Sequence, residues 1–190
     1  MQSAIHYILA ITYTVWFLSE VVISRILRST EGDRTGTDRR SIVIVWIVAS
    51  VSVTIAVMVD RSFANSIFNE PLYRLIGAGI TLVGMVIRIA AVKTLGRMFT
   101  VDITIRKDHR LKTDGIYRHV RHPAYAGLLL SFYGLGLAIN NWWSLLLIIV
   151  PVSIVFIVRI GMEERLLEEE FGAAYTQYKR KTARLIPYIF

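Results

Sequence analysis

From Arg121 to Glu164 the chain reads RHPAYAGLLLSFYGLGLAINNWWSLLLIIVPVSIVFIVRIGMEE. Between Pro123 and Val158 no residue carries a formal charge; Arg121 and His122 open the stretch, and Arg159, Glu163 and Glu164 close it. So long a run without charge reads as membrane-spanning, and the Asn140-Asn141 turn folds it into a tight helical hairpin. Each half is short for a full crossing, so its ends are expected to project or to lean on neighbours. Trp142 and Trp143, just after the turn, suit the aromatic belt of a membrane interface. Ionisable groups at the edge of an apolar span anchor the chain or do chemistry, because deeper burial is expensive.

Working outward, Ala4 to about Leu27, Ser41 to Val59 and Leu72 to about Leu95 form three further apolar helices. At about 1.5 Å per residue each can cross about 30 Å of hydrocarbon. Gly96 to Arg121 is polar and mixed, with a short alternating patch at Thr100 to Arg106, and is too charged to enter a bilayer. The expected fold is an all-α integral membrane protein with five transmembrane helices, the last two a hairpin. Residues 1–95 would hold three spans, and 96–190 a polar loop, the hairpin 123–158 and a carboxyl-terminal helix.

Composition agrees with that reading: 54% of the 190 residues are hydrophobic and the mean hydropathy is +0.51. Met1 to Ala4 lacks the basic start and small-residue cleavage pattern of a signal peptide, so the first apolar run is expected to persist as a span. The absence of cysteine excludes disulfides, thiolate metal sites and a thiol nucleophile. A net charge of +8 is compatible with nucleic acid, but the basic residues border apolar runs, where anionic lipid headgroups are the nearer partner. Nucleic acid is therefore not an expected partner, and oligomeric state is open.

The basic residues also orient the chain. Five Arg lie in 25–40, eight Lys or Arg in 93–121 and six from Arg159 onward, whereas the other connections hold almost none. The positive-inside rule then puts those segments in the cytosol and the amino terminus outside. From Glu163 the tail reads as an amphipathic helix, with Leu167, Phe171, Tyr175 and Tyr178 on one stripe and Pro187 as its latest possible end. It should lie along the membrane surface or cover a site.

Each motif has a plain reading beside a functional one. Arg121 to Tyr125 can be a basic flank, a proline at the first helical turn and an interfacial tyrosine. Equally, the helix start leaves N–H groups aimed outward, and His122 and Tyr125, three apart, share a face toward a ligand. Arg159 and Glu163 can be a surface ion pair four apart, or a matched pair for a zwitterionic or acidic lipid group. His109 to Lys112 and Gly115 to Tyr117 read as a basic loop with a turn. Glu20 and Arg88, inside the first and third spans, need partners, snorkel or line a portal. His6 and His119 carry no usable signal, and the sequence has no zinc spacing, phosphate-binding glycine loop or serine-hydrolase elbow.

Taken in order, Leu95-Gly96, His109 to Lys112, Gly115 to Tyr117, Arg121 to Tyr125, Arg159, Glu163-Glu164, Phe171-Gly172 and Tyr175 resemble the isoprenylcysteine carboxyl methyltransferase family with its bacterial and archaeal relatives, and more distantly the phospholipid N-methyltransferases. The resemblance covers about Leu95 to Pro187. It implies a membrane enzyme with a cytosolic cofactor-binding cap, which takes S-adenosyl-L-methionine and methylates a lipidic small molecule or prenylcysteine reached from within the bilayer. It further implies cofactor contacts from His109, Arg110, Leu111, Lys112, Tyr117, His122, Pro123, Ala124, Tyr125 and Glu163, with Arg159 facing the substrate. Two departures stand out: Lys112 replaces a small apolar residue, and Ile116 a proline.

Methyl transfer from a sulfonium to a carboxylate is an in-line displacement that needs positioning and dryness rather than a metal or a general base. Two alternatives stay open. An amine headgroup could be the acceptor, although Arg159 would repel a cation; or the chain could be a non-enzymatic, lipid-binding membrane scaffold.

Overall fold

The computed structural model describes residues 2–26, 34–35, 39–63, 66–69, 71–105 and 110–187. Helices dominate: α1 (Gln2–Ile26), α2 (Arg39–Ser62), α3 (Arg74–Leu95), α4 (Pro123–Ile139), α5 (Trp142–Phe171) and α6 (Ala173–Lys181). Short 3-10 turns lie at Pro71–Tyr73, Gly96–Met98 and Gly115–Arg118. Two two-residue strands, β1 (Arg34–Thr35) and β2 (Thr104–Ile105), pair antiparallel, Arg34 opposite Ile105. Among the described residues, four helices are long and apolar enough to cross a membrane: Gln2–Ile26, Ser41–Ser62, Arg74–Met98 and Trp142–Phe171.

The expected fifth span, α4, has 17 residues and reaches only about 25 Å, but it is the most enclosed helix. It lies against α3 and α5, with α2 also in contact. Leu128, Leu129 and Phe132 of α4 join Trp16, Val45, Ala49, Ala56, Ile148, Val152 and Phe156 in the principal core, where Trp16 meets Phe132 edge to face with centroids 5.0 Å apart. Large apolar side chains on the outer faces of the other helices, such as Ile11, Ile47, Val86 and Ile154, are exposed, as lipid contact requires.

Small residues weld α3 to α4. A methyl group at Gly84 would lie 2.5 Å from the Gly127 carbonyl oxygen, and one at Gly134 2.6 Å from the Gly77 carbonyl oxygen, so the two backbones touch. Between these contacts the Thr81 hydroxyl donates to the Ser131 carbonyl at 3.1 Å, and the Ser131 hydroxyl returns a bond to the Thr81 carbonyl at 3.2 Å. Most of this packing crosses the division expected at residue 95, since α3 precedes it and α4 follows it. Gly136 contacts Leu145 instead, across the hairpin.

The hairpin turn is built as its residues require. Asn140 takes the left-handed conformation, at φ 66°, that asparagine tolerates, and the Asn141 side chain caps α5 by accepting from the Trp143 and Ser144 amides. Both amides also tie down the preceding loop, Asn140 through Phe68 and Asn141 through the Phe63 carbonyl.

Beyond Val158 the structure differs from expectation. The second half of the hairpin projects past its uncharged stretch, as expected, but no new helix begins at Glu163: α5 runs unbroken for 30 residues through Arg159 and both glutamates to Phe171. Charge marks where the helix leaves hydrocarbon, not where its hydrogen bonding stops. The break falls at Gly172, whose φ of 50° suits a residue without Cβ, and α6 then turns back and ends at Lys181.

Candidate functional site

A backbone clasp sets the start of α4. The Arg121 amide donates to the Ala183 carbonyl at 2.9 Å and the His122 amide to the Arg184 carbonyl at 3.1 Å, while Ala183 donates back to His119 at 3.0 Å. Pro123 at the first helical position needs no such partner. The Arg121 guanidinium reinforces the clasp by donating to the carbonyls of Lys179 and Thr182. The tail thus folds over the mouth of the hairpin, and buries Tyr175 and Tyr178 there.

The two glutamates of α5 part company because successive helical residues point about 100° apart. Glu164, 3% exposed, binds Arg121 at 3.0 Å, His122 Nε2 at 3.2 Å and Arg184 at 2.8 Å, with Lys179 at 3.8 Å. Glu163 faces a cavity, accepts from the Tyr125 hydroxyl at 2.6 Å and lies 3.8 Å from His122 Nδ1.

Arg159, one turn earlier and 2% exposed, is not a surface ion pair. Its guanidinium donates to the Tyr125 hydroxyl at 3.1 Å, to the Ser41 hydroxyl of α2 and to the Val101 carbonyl. A chain of contacts therefore runs from His122 through Glu163 and Tyr125 to Arg159, joining groups from both ends of the apolar stretch.

Glu20 and Arg88 also meet: Arg88 Nε donates to Glu20 Oε1 at 2.6 Å, and its Nη1 to the Ala124 carbonyl at 3.2 Å. The guanidinium carbon lies 5.9 Å from the Phe99 ring centroid. Both residues are buried, so the pair lies inside the protein rather than at a lipid boundary.

Of these groups, Glu20, Arg88, His122, Tyr125, Arg159 and Glu163 line one cavity with about 1190 Å³ of free space, counting its opening. Its walls are Leu111, Lys112, Tyr117 and Met98 to Ile105 from the polar loop, Ala124, Tyr125 and Leu128 from α4, and Tyr175 and Tyr178 from α6. Burial pushes the Tyr117 and Tyr175 phenols far above their ordinary range, and the nearby Glu163 charge adds to both shifts. Each therefore stays a neutral donor; Tyr117 donates to the Ala91 carbonyl at 3.3 Å, whereas the Tyr175 hydroxyl is buried without a hydrogen-bond partner among the described residues. A second opening lies between α1 and α2, lined by Phe17, Val21, Ile47 and Val51, and shares Ser24, Ile42, Trp46, Val101 and Asp102 with the cavity.

Of the residues singled out in the sequence, Leu111, Lys112, Tyr117, His122, Ala124, Tyr125, Arg159 and Glu163 line this cavity. Arg110 is exposed and Pro123 is packed into the core; neither lines it. His109 lies outside the described residues. Lys112, at the departure from the family pattern, reaches outward to Asp114 at 2.9 Å and holds its carboxyl below the usual range. Sequence reasoning did not assign Met98 to Ile105 to the wall; it left Tyr175 on a stripe that lies along the membrane or covers a site, and Glu20 with a partner, snorkelling or lining a portal.

A family model described as phospholipid methyltransferase matches residues 72–174, more than half of the chain. The chain belongs to that family. Similar proteins include protein-S-isoprenylcysteine O-methyltransferase B of Arabidopsis thaliana, 34% identical over 115 residues, which are 60% of this chain and 58% of the relative. Protein-S-isoprenylcysteine O-methyltransferase of Schizosaccharomyces pombe is 35% identical over 127 residues, 66% of this chain and 53% of the relative. The solved structure of the eukaryotic intramembrane Ras methyltransferase, an isoprenylcysteine carboxyl methyltransferase, superposes with a TM-score of 0.65 at 27% identity, covering 76% of this chain and 52% of that one. The chain thus spans little more than half the length of these relatives. With its four apolar helices this member of the family is an integral membrane protein.

Proposed function

We propose that this chain is a membrane methyltransferase that uses S-adenosyl-L-methionine to esterify the carboxylate of a prenylcysteine or a similar lipidic acid. The observation that carries the reading is the convergence of His122, Tyr125, Arg159 and Glu163 on one cavity that shares a wall with a groove open between α1 and α2. The names of the relatives point to the same reaction and acceptor class.

The residues fit such a donor. Glu163 offers a carboxylate for an ammonium or ribose hydroxyls, the orphaned Tyr175 hydroxyl offers a further polar contact, and Leu111, Ala124 and Leu167 give apolar surface. His122, Tyr117 and Tyr125 complete its binding side. When bound, S-adenosyl-L-methionine supplies an electrophilic methyl group on a sulfonium. Arg159, immobilised by Tyr125, Ser41 and Val101, orients the acceptor carboxylate, and α6 with the clasp excludes water. A carboxylate is already a nucleophile, so the chain has only to align and dry the partners.

We place α4 as a fifth crossing, shortened because protein rather than lipid surrounds it. In that topology the amino terminus lies outside, and the cavity opens to the cytosol, where the methyl donor is available. The lipid chain of the acceptor would lie in the α1–α2 groove. The description of the matching family keeps a phospholipid amine as second acceptor class; the fixed charge of Arg159 disfavours it.

Detergent-solubilised protein should be stabilised saturably by S-adenosylhomocysteine, and membranes given radiolabelled methyl donor should form a base-labile lipid ester. A base-stable labelled amine would transfer the reading to N-methylation. No stabilisation and no label would leave a lipid-binding scaffold.

A further inference from the structure

The geometry points to Glu20 as a residue that selects the acceptor: its second carboxylate oxygen receives an N–H donor on the lipid-linked acid whose carboxylate faces Arg159. The inference rests on the proposed reaction and adds a contact from α1, which lies outside the segment matched by the family model.

Glu20 is 1% exposed, and among the described residues Arg88 engages its Oε1 alone. Oε2 has no hydrogen-bond partner among the described residues. A buried carboxylate oxygen left bare is costly, and a bound donor removes that cost. The location identifies the ligand. Glu20 lines the cavity, and Ser24, one turn further along α1, lines both the cavity and the α1–α2 groove. Glu20 therefore stands where the groove enters the cavity, on the side given to the acceptor, whereas Glu163, His122 and Tyr175 hold the donor side.

Arg88 fixes the direction of this acceptor atom. It holds Oε1 while anchored to the Ala124 carbonyl and stacked toward Phe99, so Glu20 cannot turn its free oxygen away without breaking the pair. Ala124 adjoins Tyr125, which touches Arg159, so one turn of α4 links the two recognition points. An acid bearing a nitrogen beside its carboxylate would engage both at once. An acid of the same length without nitrogen would leave Oε2 bare.

The test compares N-acetyl-S-farnesylcysteine with farnesylsulfanylpropanoic acid, which lacks the acetamido group, on the full chain in detergent. Wild type should show kcat/KM about tenfold or more in favour of the first. E20Q should bring the ratio within about threefold, chiefly through the first substrate, because its amide can keep an oxygen on Arg88 only by turning an NH2 toward the ligand. A wild-type ratio within about threefold, or an undiminished ratio in E20Q, overturns the inference. If E20Q does not fold, the wild-type ratio decides. If neither acid is methylated, the proposed reaction fails, and saturable thermal stabilisation of wild type decides: preference for the acetamido acid supports the Glu20 contact, and equal or absent stabilisation overturns it.

Discussion

Glu163 and Glu164, adjacent in the chain, point about 100° apart on α5 and flank one imidazole: Glu163 accepts from Tyr125 inside the cavity, while Glu164 ties Arg121, His122 and Arg184 into the clasp. One carboxylate is available to a ligand and the other is consumed by the fold.

Neutralising them should therefore give different phenotypes. E164A leaves Arg121 and Arg184 without their buried counter-charge and should lose about 3–5 kcal/mol of stability. E163Q should unfold within about 1 kcal/mol of wild type yet bind S-adenosylhomocysteine at least about tenfold more weakly. Thermal unfolding and calorimetry separate the two; undiminished affinity in E163Q would remove Glu163 from the donor site.

Backbone contact between α3 and α4 predicts a sharp positional contrast. G84V drives its side chain into the Gly127 carbonyl and should cost about 3 kcal/mol or more, with little folded protein recovered. A methyl group at Gly79 meets nothing within 4 Å, so G79A should stay within about 1 kcal/mol of wild type. Comparable losses in both would mean that the helices are not in contact.

R159A should lower kcat/KM for a carboxylate acceptor at least about thirtyfold, because removing a buried charged partner of a substrate carboxylate costs about 2–5 kcal/mol. Since Arg159 also ties α2 to the loop at Val101, unfolding must be followed in parallel. Retained binding of S-adenosylhomocysteine with lost turnover would identify an acceptor-side defect rather than general collapse.

Alkaline pH should loosen the tail. Burial raises Tyr178 from 10.0 to about 12, so the folded state holds this proton more tightly than the unfolded chain. The stability linked to it is complete below about pH 10 and is lost as pH rises through about 12. Its hydroxyl donates to the Tyr117 carbonyl at 2.6 Å, which ties α6 to the loop. Hydrogen exchange of α6 should accelerate over that window in wild type, and Y178F should show faster exchange already at neutral pH with a smaller alkaline increase.

Local chemistry is what made the hairpin legible. Pro123 and Asn140-Asn141 impose backbone conformations on their own, and an uncharged run needs no partner to be recognised. The extent of α5 was hidden because Arg159 marks the edge of hydrocarbon while the helix continues through it. Glu20 and Arg88 advertised a need for partners, but a separation of 68 positions gave no hint that each was the other's. The stretch from Met98 to Ile105 shows only a short alternating patch, which does not disclose its partners: Arg159 donates to the Val101 carbonyl, and β1 pairs with Thr104 and Ile105.

Gly84 and Gly127 also set a compass bearing for traffic. Where α3 and α4 press backbone on backbone no acyl chain can intrude, whereas among the described residues a groove lies open between α1 and α2, the route that the proposed reaction would use for a lipid. A photoreactive acceptor should accordingly brand those two helices and spare the opposite flank.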